Sequence, residues 1–372
     1  MRIGKFIARI AAICGITMLA IPLLQCSRQG SPKGTKVGVI LPLTGTLSEM
    51  GQYEKQAMEL AADRLRASGA NQQQLVFEDG KGDSKTVASA AQKLLDIDGV
   101  RILITSTTGA SLAAKPLAER KNVPLLAFCM GSDVAHSSRS TVRFYVGIEE
   151  ESQAIVDYLS SLPQDTRVGV LYASVAVWTT AINDIYIPFF EKHFRKPAVI
   201  EDYSLQDRDF RIQLTRLKNA DAQVLVILGY GFEYQPIFTQ MAELGLRDKV
   251  KIIGGWGFLY TPLPIQTLEG IRVAGPINVF RQGPSAAEFN AAFSREYGHP
   301  PNFDAAFAYE VIMKLPDILR ILDRNGIADL KSSLTQRGEI QGVIGPYHFT
   351  NDGNMIVQTA VGTFRNGLIE AQ

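Results

Sequence analysis

The stretch KVGVILPLTGTLSEMGQYEKQAMELAADRLRA, residues 36–67, decides the fold class, because a buried strand and an amphipathic helix follow each other in it. The apolar run KVGVILPL predicts a strand and a turn, and apolar residues at helical spacing predict a helix over residues 48–67. The strands QLVFED, VRILIT and VPLLAF follow, with helices near residues 86–95 and 111–120. Strands that are apolar throughout and separated by helices predict a parallel sheet.

The same pattern begins again after residues 145–151. The strands RVGVLYA, AVIEDYS, QVLVILG and KIIGG alternate there with helices near residues 178–194, 209–217 and 234–244. After VAGPINVF come two helices, near residues 285–297 and 303–323, and a hairpin-like end, GPYHFTNDGNMIVQTAVGTF. The 372 residues suffice for two domains. Two similar series predict two α/β lobes of one architecture.

The beginning of the chain has the features of an export signal. A basic start, MRIGK, precedes an apolar run over residues 10–24. That run is shorter than the roughly 18–20 residues of a membrane span, which favours a secretory leader. The following LLQCS resembles a bacterial lipoprotein signal, in which the leader is cut before the cysteine and the cysteine carries lipid. Gln25 departs from the small residue usual before the cut.

We therefore expect a leader over residues 1–25, lipid on Cys26 and a polar tether over residues 26–35. The alternatives are an uncleaved anchor or a leader cut elsewhere. In every version the protein is exported, and with the lipid it is held on a membrane of the bacterial envelope and faces the periplasm.

Composition and charge exclude several classes of protein. Hydrophobic residues make up 46% and charged residues 20%, which is globular composition. The formal net charge is +1 and no basic patch recurs, so nucleic acid is not an expected partner. Cys14 and Cys26 lie in and just after the leader, which leaves Cys129 alone in the mature body. No intrachain disulfide is expected there.

Catalytic patterns are not evident in the sequence. We find no G-x-S-x-G motif and no P-loop, and the four histidines lack metal-ligand spacing. Cys129 has no evident activating partner, and a buried thiol is the common case. We expect no enzyme, no metal and no cofactor. The alternative, a hydrolase or transferase on a similar fold, needs an activated nucleophile in the cleft.

Ligands of open parallel sheets bind beyond the carboxyl ends of the strands. The segments at those ends hold both tryptophans of the chain; they are residues 43–51, 105–111, 128–133, 173–179, 229–233 and 254–260. In TSTTGAS, residues 105–111, hydroxyls and a glycine precede a predicted helix. Thr107 and Thr108 at such a helix start are suited to holding a carboxylate. Ordinary capping of the helix is the alternative.

The mature chain resembles the branched-chain amino-acid-binding proteins, which are periplasmic receptors of ABC uptake systems. The resemblance rests on VGVILPLTGTLSEMGQ, FEDGKGDSKTVASAAQKLL, STTGASLAAKPLAERKNVPLL, DFRIQLTRLKNADAQVLVILGYG and GVIGPYHFTNDGN, in this order and spacing. It implies a type I periplasmic binding fold, with two Rossmann-like lobes joined by a three-stranded hinge. We expect lobe 1 over residues 36–147 and 276–340, and lobe 2 over residues 148–275 and 341–372.

The resemblance also implies which residues bind the ligand. Thr107, Thr108 and Gly109 match the segment that holds the ligand carboxylate. Cys129 and Ser132 lie in the loop after the next strand, with Ser132 one place away from the family's threonine. The remaining matched positions form walls of the cleft; they are Met50, Trp178, Tyr230 and Trp256.

Trp256 departs from the family, because the amino-acid-binding relatives place an acidic residue at this position. A buried ammonium needs a counter-charge, and a tryptophan face is a weaker partner than a carboxylate. Glu233 or Asp133 could supply the charge instead. The simpler interpretation is that the cleft no longer selects an amino acid. Trp178, Tyr230 and Trp256 would then clamp a small carboxylate or amide with an apolar or aromatic body. Alternatively, Trp256 is a core residue.

The sequence thus predicts a receptor that closes on a small ligand and delivers it to an ABC transporter permease. The lobes close by hinge bending, and the ligand favours closure through contacts made only in the closed form. The alternatives on the same fold are an amide- or urea-type receptor and a ligand sensor without a permease. A purely structural envelope lipoprotein is a third option.

Overall fold

The computed structural model describes residues 34–69, 73–136, 138–259, 263–276, 283–366 and 368–371. The leader and the lipidation site at Cys26 lie outside these residues, as does the tether except for its last two positions. The strands are β1 (Lys36–Leu41), β2 (Gln74–Asp79), β3 (Ile102–Ser106), β4 (Leu125–Phe128), β5 (Thr141–Arg143), β6 (Val168–Ala173), β7 (Val199–Tyr203), β8 (Val224–Leu228), β9 (Lys251–Gly254), β10 (Arg272–Pro276), β11 (Ile340–Gly342), β12 (Gly345–Phe349), β13 (Met355–Val357), β14 (Thr359–Arg365) and β15 (Leu368–Ala371).

Two main sheets carry the fold. The first has five parallel strands in the order β2-β1-β3-β4-β5. The second has the order β15-β14-β10-β9-β8-β6-β7; β14 pairs antiparallel with both β10 and β15, and the five strands from β10 to β7 are parallel to one another. β11, β12 and β13 form a small antiparallel sheet. The two parallel series that the sequence predicts are confirmed.

Helices flank the sheets and connect the parallel strands. They are α1 (Ser48–Ala67), α2 (Ser84–Lys93), α3 (Thr108–Arg120), α4 (Ile148–Ser160), α5 (Ala176–Ala181), α6 (Ile187–His193), α7 (Arg211–Asn219), α8 (Tyr234–Glu243), α9 (Ile265–Leu268), α10 (Pro284–Tyr297), α11 (Phe303–Met313), α12 (Leu315–Asn325) and α13 (Leu330–Thr335). π-helical turns extend α2 over Leu94–Asp98 and join α5 to α6 over Ile182–Tyr186. No helix of the described part of the chain is long and apolar enough to cross a membrane.

Local chemistry sets where several helices begin. Asp83 caps α2 by accepting a 2.8 Å hydrogen bond from the N–H of Thr86, and Asn302 caps α11 through the N–H of Ala305 at 3.0 Å. The single helix expected over residues 303–323 is instead two helices, α11 and α12. Pro316 lies in the first turn of α12, where its missing N–H costs no helical hydrogen bond.

The chain passes three times between the two main sheets, as the expected hinge requires. It leaves β5 for α4, returns from β10 to α10 and α11, and leaves β13 for β14. α11 packs against α1, so the second passage returns the chain to the side of the first sheet. The expected class, α/β with two Rossmann-like lobes and three connections, is confirmed.

The contacts of the small sheet bear on one expected boundary between the lobes. We placed residues 341–372 in lobe 2, but the hydroxyl of Tyr347 in β12 donates to Glu310 of α11 at 2.8 Å. The N–H of Arg143 at the end of β5 donates to the C=O of Gly353 at 2.9 Å. These bonds tie residues 340–357 to β5 and α11, and among the described residues β12 and β13 pair with each other and with β11. The contacts favour a boundary after β13, and the lobe assignment as a whole stays a prediction.

Candidate ligand-binding site

The start of α3 is held in an unusual backbone conformation. Thr107 has φ of +77°, a region that β-branched residues rarely adopt. Its N–H donates to the C=O of Phe128 at 3.0 Å, its Oγ1 accepts from the N–H of Ala110 at 3.3 Å, and its C=O accepts from Oγ of Ser111 at 2.8 Å. These bonds enforce the strain, and strain of this kind clusters at functional sites.

The loop after β4 lies beside this helix start. Thr108 Oγ1 accepts from the N–H of Gly131 at 3.2 Å, which joins the two segments. Cys129 is buried, and burial raises the pKa of its thiol to about 11. The thiol is therefore neutral at physiological pH, and neutral thiols are poor nucleophiles.

Three aromatic rings meet at the carboxyl ends of the second sheet. Trp178 lies in α5, Tyr230 follows β8 and Trp256 follows β9. The ring centroids are 4.9 Å apart for Trp178 and Tyr230, 6.1 Å for Tyr230 and Trp256, and 6.3 Å for the two tryptophans. We call these three residues the aromatic trio. Such distances are those of interacting aromatic pairs.

Trp256 contacts both sides of the cleft. Its backbone N–H donates to Glu151 of α4 at 2.8 Å, while its indole Nε1 lies 3.1 Å from the sulfur of Met130, which follows β4. Its ring stacks at 6.0 Å on Phe303 of α11, with an angle of 5° between the planes. This side chain therefore packs between segments that belong to the two main sheets and helix α11.

The glycines around Trp256 permit close packing of the backbone. A Cβ on Gly255 would lie 2.4 Å from carboxyl atoms of Glu151, and one on Gly257 would lie 2.1 Å from the C=O oxygen of Gly229. Neither has a positive φ, so close approach of neighbouring atoms is the physical reason for them.

Two adjoining cavities lie between the lobes. The outer cavity has a volume of about 240 Å³. The inner cavity has a volume of about 30 Å³ and lies against the start of α3 and the aromatic trio. Both are lined by Met50, Tyr230, Trp256 and Asp304, so they are two parts of one cleft.

The structure brings together seven of the nine residues expected to bind ligand. They line the inner cavity and are Met50, Thr107, Thr108, Cys129, Trp178, Tyr230 and Trp256. Gly109 is exposed in the first turn of α3 and is not among the residues that line either cavity. Ser132 is also outside both linings, and its hydroxyl donates to Glu149.

Neither acidic residue considered as a replacement counter-charge lines the cleft. Glu233 is buried and accepts hydrogen bonds from the hydroxyl of Tyr203 at 2.8 Å and the N–H of Tyr230 at 2.7 Å, so it holds the turn after β8. Asp133 is exposed. Trp256 is only 3% exposed and packs on many rings, but it also forms a wall of both cavities. It is thus both a packed residue and a cleft residue.

Sequence reasoning missed two buried carboxyl groups of the inner cavity. Glu54 lies four residues after Met50 on α1, and this helical spacing could have found it, since residues i and i+4 share a helix face. Asp304 is one of two acids, with Glu310, in the otherwise apolar helix α11. Glu54 accepts from Oγ of Ser106 at 2.7 Å, and Asp304 accepts from the hydroxyl of Tyr145 at 2.5 Å.

The surroundings of Glu54 favour its protonated form. The side chain is fully buried, and burial raises its pKa well above the usual range, with a second contribution from the charge of Asp304. The bond from Ser106 opposes this shift. Within the described ranges, no cluster of three or more His, Cys, Asp or Glu residues has the geometry to hold a metal ion.

Comparisons with known proteins agree with this architecture. The family model described as periplasmic binding protein matches residues 34–367. The chain is 24% identical over 351 residues to Leu/Ile/Val-binding protein homolog 2 of Brucella abortus, covering 92% of each chain.

Solved structures show the same fold at low identity. The branched-chain amino-acid transporter substrate-binding protein LivJ of Streptococcus pneumoniae, in complex with isoleucine, has a TM-score of 0.78 at 22% identity; the match covers 91% of this chain and 99% of LivJ. A solute-binding protein of an ABC transporter from R. palustris, in complex with benzoate, has a TM-score of 0.78 at 14% identity, with 91% and 95% covered.

Two lobes on parallel sheets, with a cleft between the carboxyl ends of their strands, define a solute-binding protein. The chain belongs to the periplasmic binding protein family. The resemblance to the branched-chain amino-acid-binding proteins is thereby confirmed.

Proposed function

We propose that this protein is an exported receptor that captures a small ligand between its lobes and delivers it to an ABC transporter permease. One observation carries the proposal: seven residues from both lobes, separated widely in sequence, converge on one cleft. The family supports the transport role, because its members bind small solutes for ABC transporters. Lipid on Cys26 would keep the receptor beside its permease, since a lipid-modified cysteine with several acyl chains gives stable attachment.

The ligand that fits the cleft has an apolar or aromatic body and a carboxylate or amide group. The aromatic trio supplies flat apolar walls for the body. Thr107 and Thr108 at the start of α3 supply hydrogen-bond donors for the polar group, and the helix N-terminus favours negative charge there. The complexes of relatives with isoleucine and benzoate support a ligand of this size on this fold.

Closure of the two lobes is the functional movement. The contacts of Trp256 with Met130 and Phe303 cross between the lobes, so an open form would lack them. A ligand that touches Thr107 and Trp256 together stabilises the closed form by contacts absent from the open one. The permease would recognise this closed shape.

Tryptophan fluorescence tests the proposal directly, because the only two tryptophans of the chain both line the inner cavity. The mature chain without leader is titrated with branched and aromatic amino acids, and separately with carboxylates and amides that lack the amine. A saturable change with any of these solutes supports a receptor. No change with any of them, together with identical small-angle scattering before and after addition, contradicts it.

A further inference from the structure

The ionisable side chains that line the cleft include acidic groups and no basic ones among the described residues. Three carboxyl groups line the two cavities, those of Glu49, Glu54 and Asp304, and no Lys, Arg or His is among the lining residues that the structure describes. A cleft lined by one sign of charge attracts ligands of the opposite sign. This distribution was not evident from the sequence, since the whole chain has a formal net charge of +1.

Two polar atoms of the inner cavity are left without hydrogen-bond partners. They are Oε2 of Glu54 and Nε1 of Trp178, and no partner for either is found among the described residues. Both side chains are at least 99% buried. Buried polar groups are nearly always paired, so these two atoms point to a ligand with a donor or cationic group for Glu54 and an acceptor group for Trp178.

Glu54 and Asp304 act on each other. The charge of Asp304 raises the pKa of Glu54, after the larger effect of burial. Two carboxyl groups that share a buried site retain a proton between them, because both cannot ionise together. The pair can therefore carry one negative charge in this buried site, and a cationic group of a ligand would stabilise that charge.

Aromatic rings surround this charge. Tyr145, whose hydroxyl donates to Asp304, meets Trp256 edge to face at 6.0 Å, and the aromatic trio forms the opposite wall. Ring faces attract organic cations, including methylated ammonium groups that cannot donate hydrogen bonds. Carboxyl groups and ring faces together form the usual chemistry of a site for an organic ammonium.

We propose that Glu54 and Asp304 of the first lobe, faced by Trp178, Tyr230 and Trp256 of the second, form a subsite for an organic cation. The ligand then carries a protonated or N-methylated ammonium group in addition to the polar group at α3. This inference rests on the proposed receptor function and reverses our expectation from Trp256 that the cleft does not select an amine. The lost acidic group is replaced by two carboxyls from the opposite lobe.

Two pairs of probes test the subsite; the members of the first differ by an ammonium group, and those of the second have the same shape and differ in charge. Phenylalanine is compared with 3-phenylpropanoate, and glycine betaine with 3,3-dimethylbutanoate, whose tert-butyl group has the shape of trimethylammonium without the charge. Calorimetry with the mature chain gives each affinity. We expect the charged member of at least one pair to bind ten or more times more tightly than its neutral counterpart.

The outcomes separate the two proposals. If the uncharged members bind equally well or better, the cation subsite is overturned and the receptor function stands. If no probe of either kind binds, both proposals lose their support. The test compares the ratio of the two affinities within a pair. A change in lobe closure that affects both members equally therefore leaves this ratio unchanged.

Two isosteric variants assign the effect to the carboxyls. Asp304→Asn and Glu54→Gln should each reduce the preference for the charged probe at least tenfold, measured as the ratio of the affinities for the two members of a pair. Glu49→Gln, at the outer cavity, is the matched control and should change the ratio less. If Asp304→Asn or Glu54→Gln keeps the full preference with an unchanged melting temperature, the assignment is wrong.

Discussion

The backbone N–H of Trp256 donates a 2.8 Å hydrogen bond to the carboxylate of Glu151, a residue that precedes it by 105 positions. This bond connects the turn after β9 to the first helix of the second lobe. It fixes the backbone from which the indole ring extends between the lobes. The side chain that contacts both lobes is thus positioned by a single buried carboxyl group, which no pattern in the sequence indicated.

Glu151 should make stability depend on pH. Burial raises the pKa of its carboxyl to about 8, and the bond from Trp256 lowers it only in part. The folded protein then keeps a proton that the unfolded chain releases above about pH 4, the usual range for Glu. Its contribution to stability is present at low pH and is lost as the pH rises toward about 8. Over that interval the loss is on the order of a few kcal/mol.

Glu151→Gln removes this dependence, because the amide cannot ionise but its oxygen still accepts from Trp256. Urea unfolding at several pH values between about 5 and 8 should give a flatter stability profile for the variant than for the wild type. Glu149→Gln, an exposed change on the same helix, is the control. Parallel profiles for wild type and Glu151→Gln would show that this carboxyl does not titrate as described.

Gly255→Ala should destabilise the protein and disturb the cleft. The new Cβ would lie 2.4 Å from the carboxyl of Glu151, so either α4 or the Trp256 backbone must shift. We expect a loss of about 1–3 kcal/mol in unfolding free energy and a changed tryptophan emission. Gly109→Ala is the control, because no atom lies within 4 Å of its Cβ, and it should cause no loss. Equal stability of the two variants contradicts the packing argument.

Two substitutions at Thr107 separate strain from capping. Thr107→Gly removes the strain of the positive φ, which should raise the unfolding free energy by about 1–3 kcal/mol. Loss of the threonine cap should lower it by only a few tenths of a kcal/mol, because glycine is itself a tolerated cap. Thr107→Ala keeps the strain and loses the cap, at about 0.5–2 kcal/mol. We expect the glycine variant to be more stable than the wild type, the alanine variant to be less stable, and both to bind ligand more weakly. A glycine variant that melts below the alanine variant refutes this order.

Trp178→Phe should lower affinity without lowering stability. Its Nε1 is buried and has no hydrogen-bond partner in the described part of the chain. Removing an unsatisfied donor can stabilise a protein by about 1–3 kcal/mol, whereas a lost bond to ligand weakens binding about tenfold. Trp256→Phe is the comparison, since its Nε1 is engaged by Met130. Unchanged affinity of Trp178→Phe indicates that the ligand does not use this donor.

Affinity for a cationic ligand should rise with pH. The cation favours ionisation of the Glu54–Asp304 pair, and the raised pKa of Glu54 means that binding must displace its proton. The titratable groups around the cleft are Glu49, Tyr53, Glu54, Cys129, Tyr145, Tyr230 and Asp304. Burial raises the pKa of both Cys129 and Tyr230, which keeps them neutral over the tested range.

Calorimetry with glycine betaine between about pH 5 and pH 8 measures this effect, because its quaternary ammonium has no proton to lose. We expect tighter binding at the higher pH and release of protons on binding, seen as a dependence of the heat on the buffer. Glu54→Gln should flatten the profile. Affinity that falls with rising pH contradicts a negatively charged subsite.

The sequence by itself determined the strand and helix series and the class of fold. Continuous apolar strands such as KVGVIL and VLVIL have to be buried on both faces, and only helices on both sides of a parallel sheet achieve this. The carboxyl ends of parallel strands share one edge, so the order of the strands alone was enough to place the loops of Thr107 and Trp256 near a cleft.

Only the tertiary structure decided which charges face the cleft. Glu54 and Asp304 lie on helices far apart in sequence, and each looks like an ordinary acid until α1 and α11 pack together. Glu233 and Asp133, which lie nearer in sequence to the expected site, turn out to hold a loop or face solvent. The period of the apolar residues and the helix and strand propensities indicate which positions are buried locally. Whether two distant side chains come into contact depends instead on how whole helices pack against each other. For that reason, the electrostatics of this cleft were not readable from the chain.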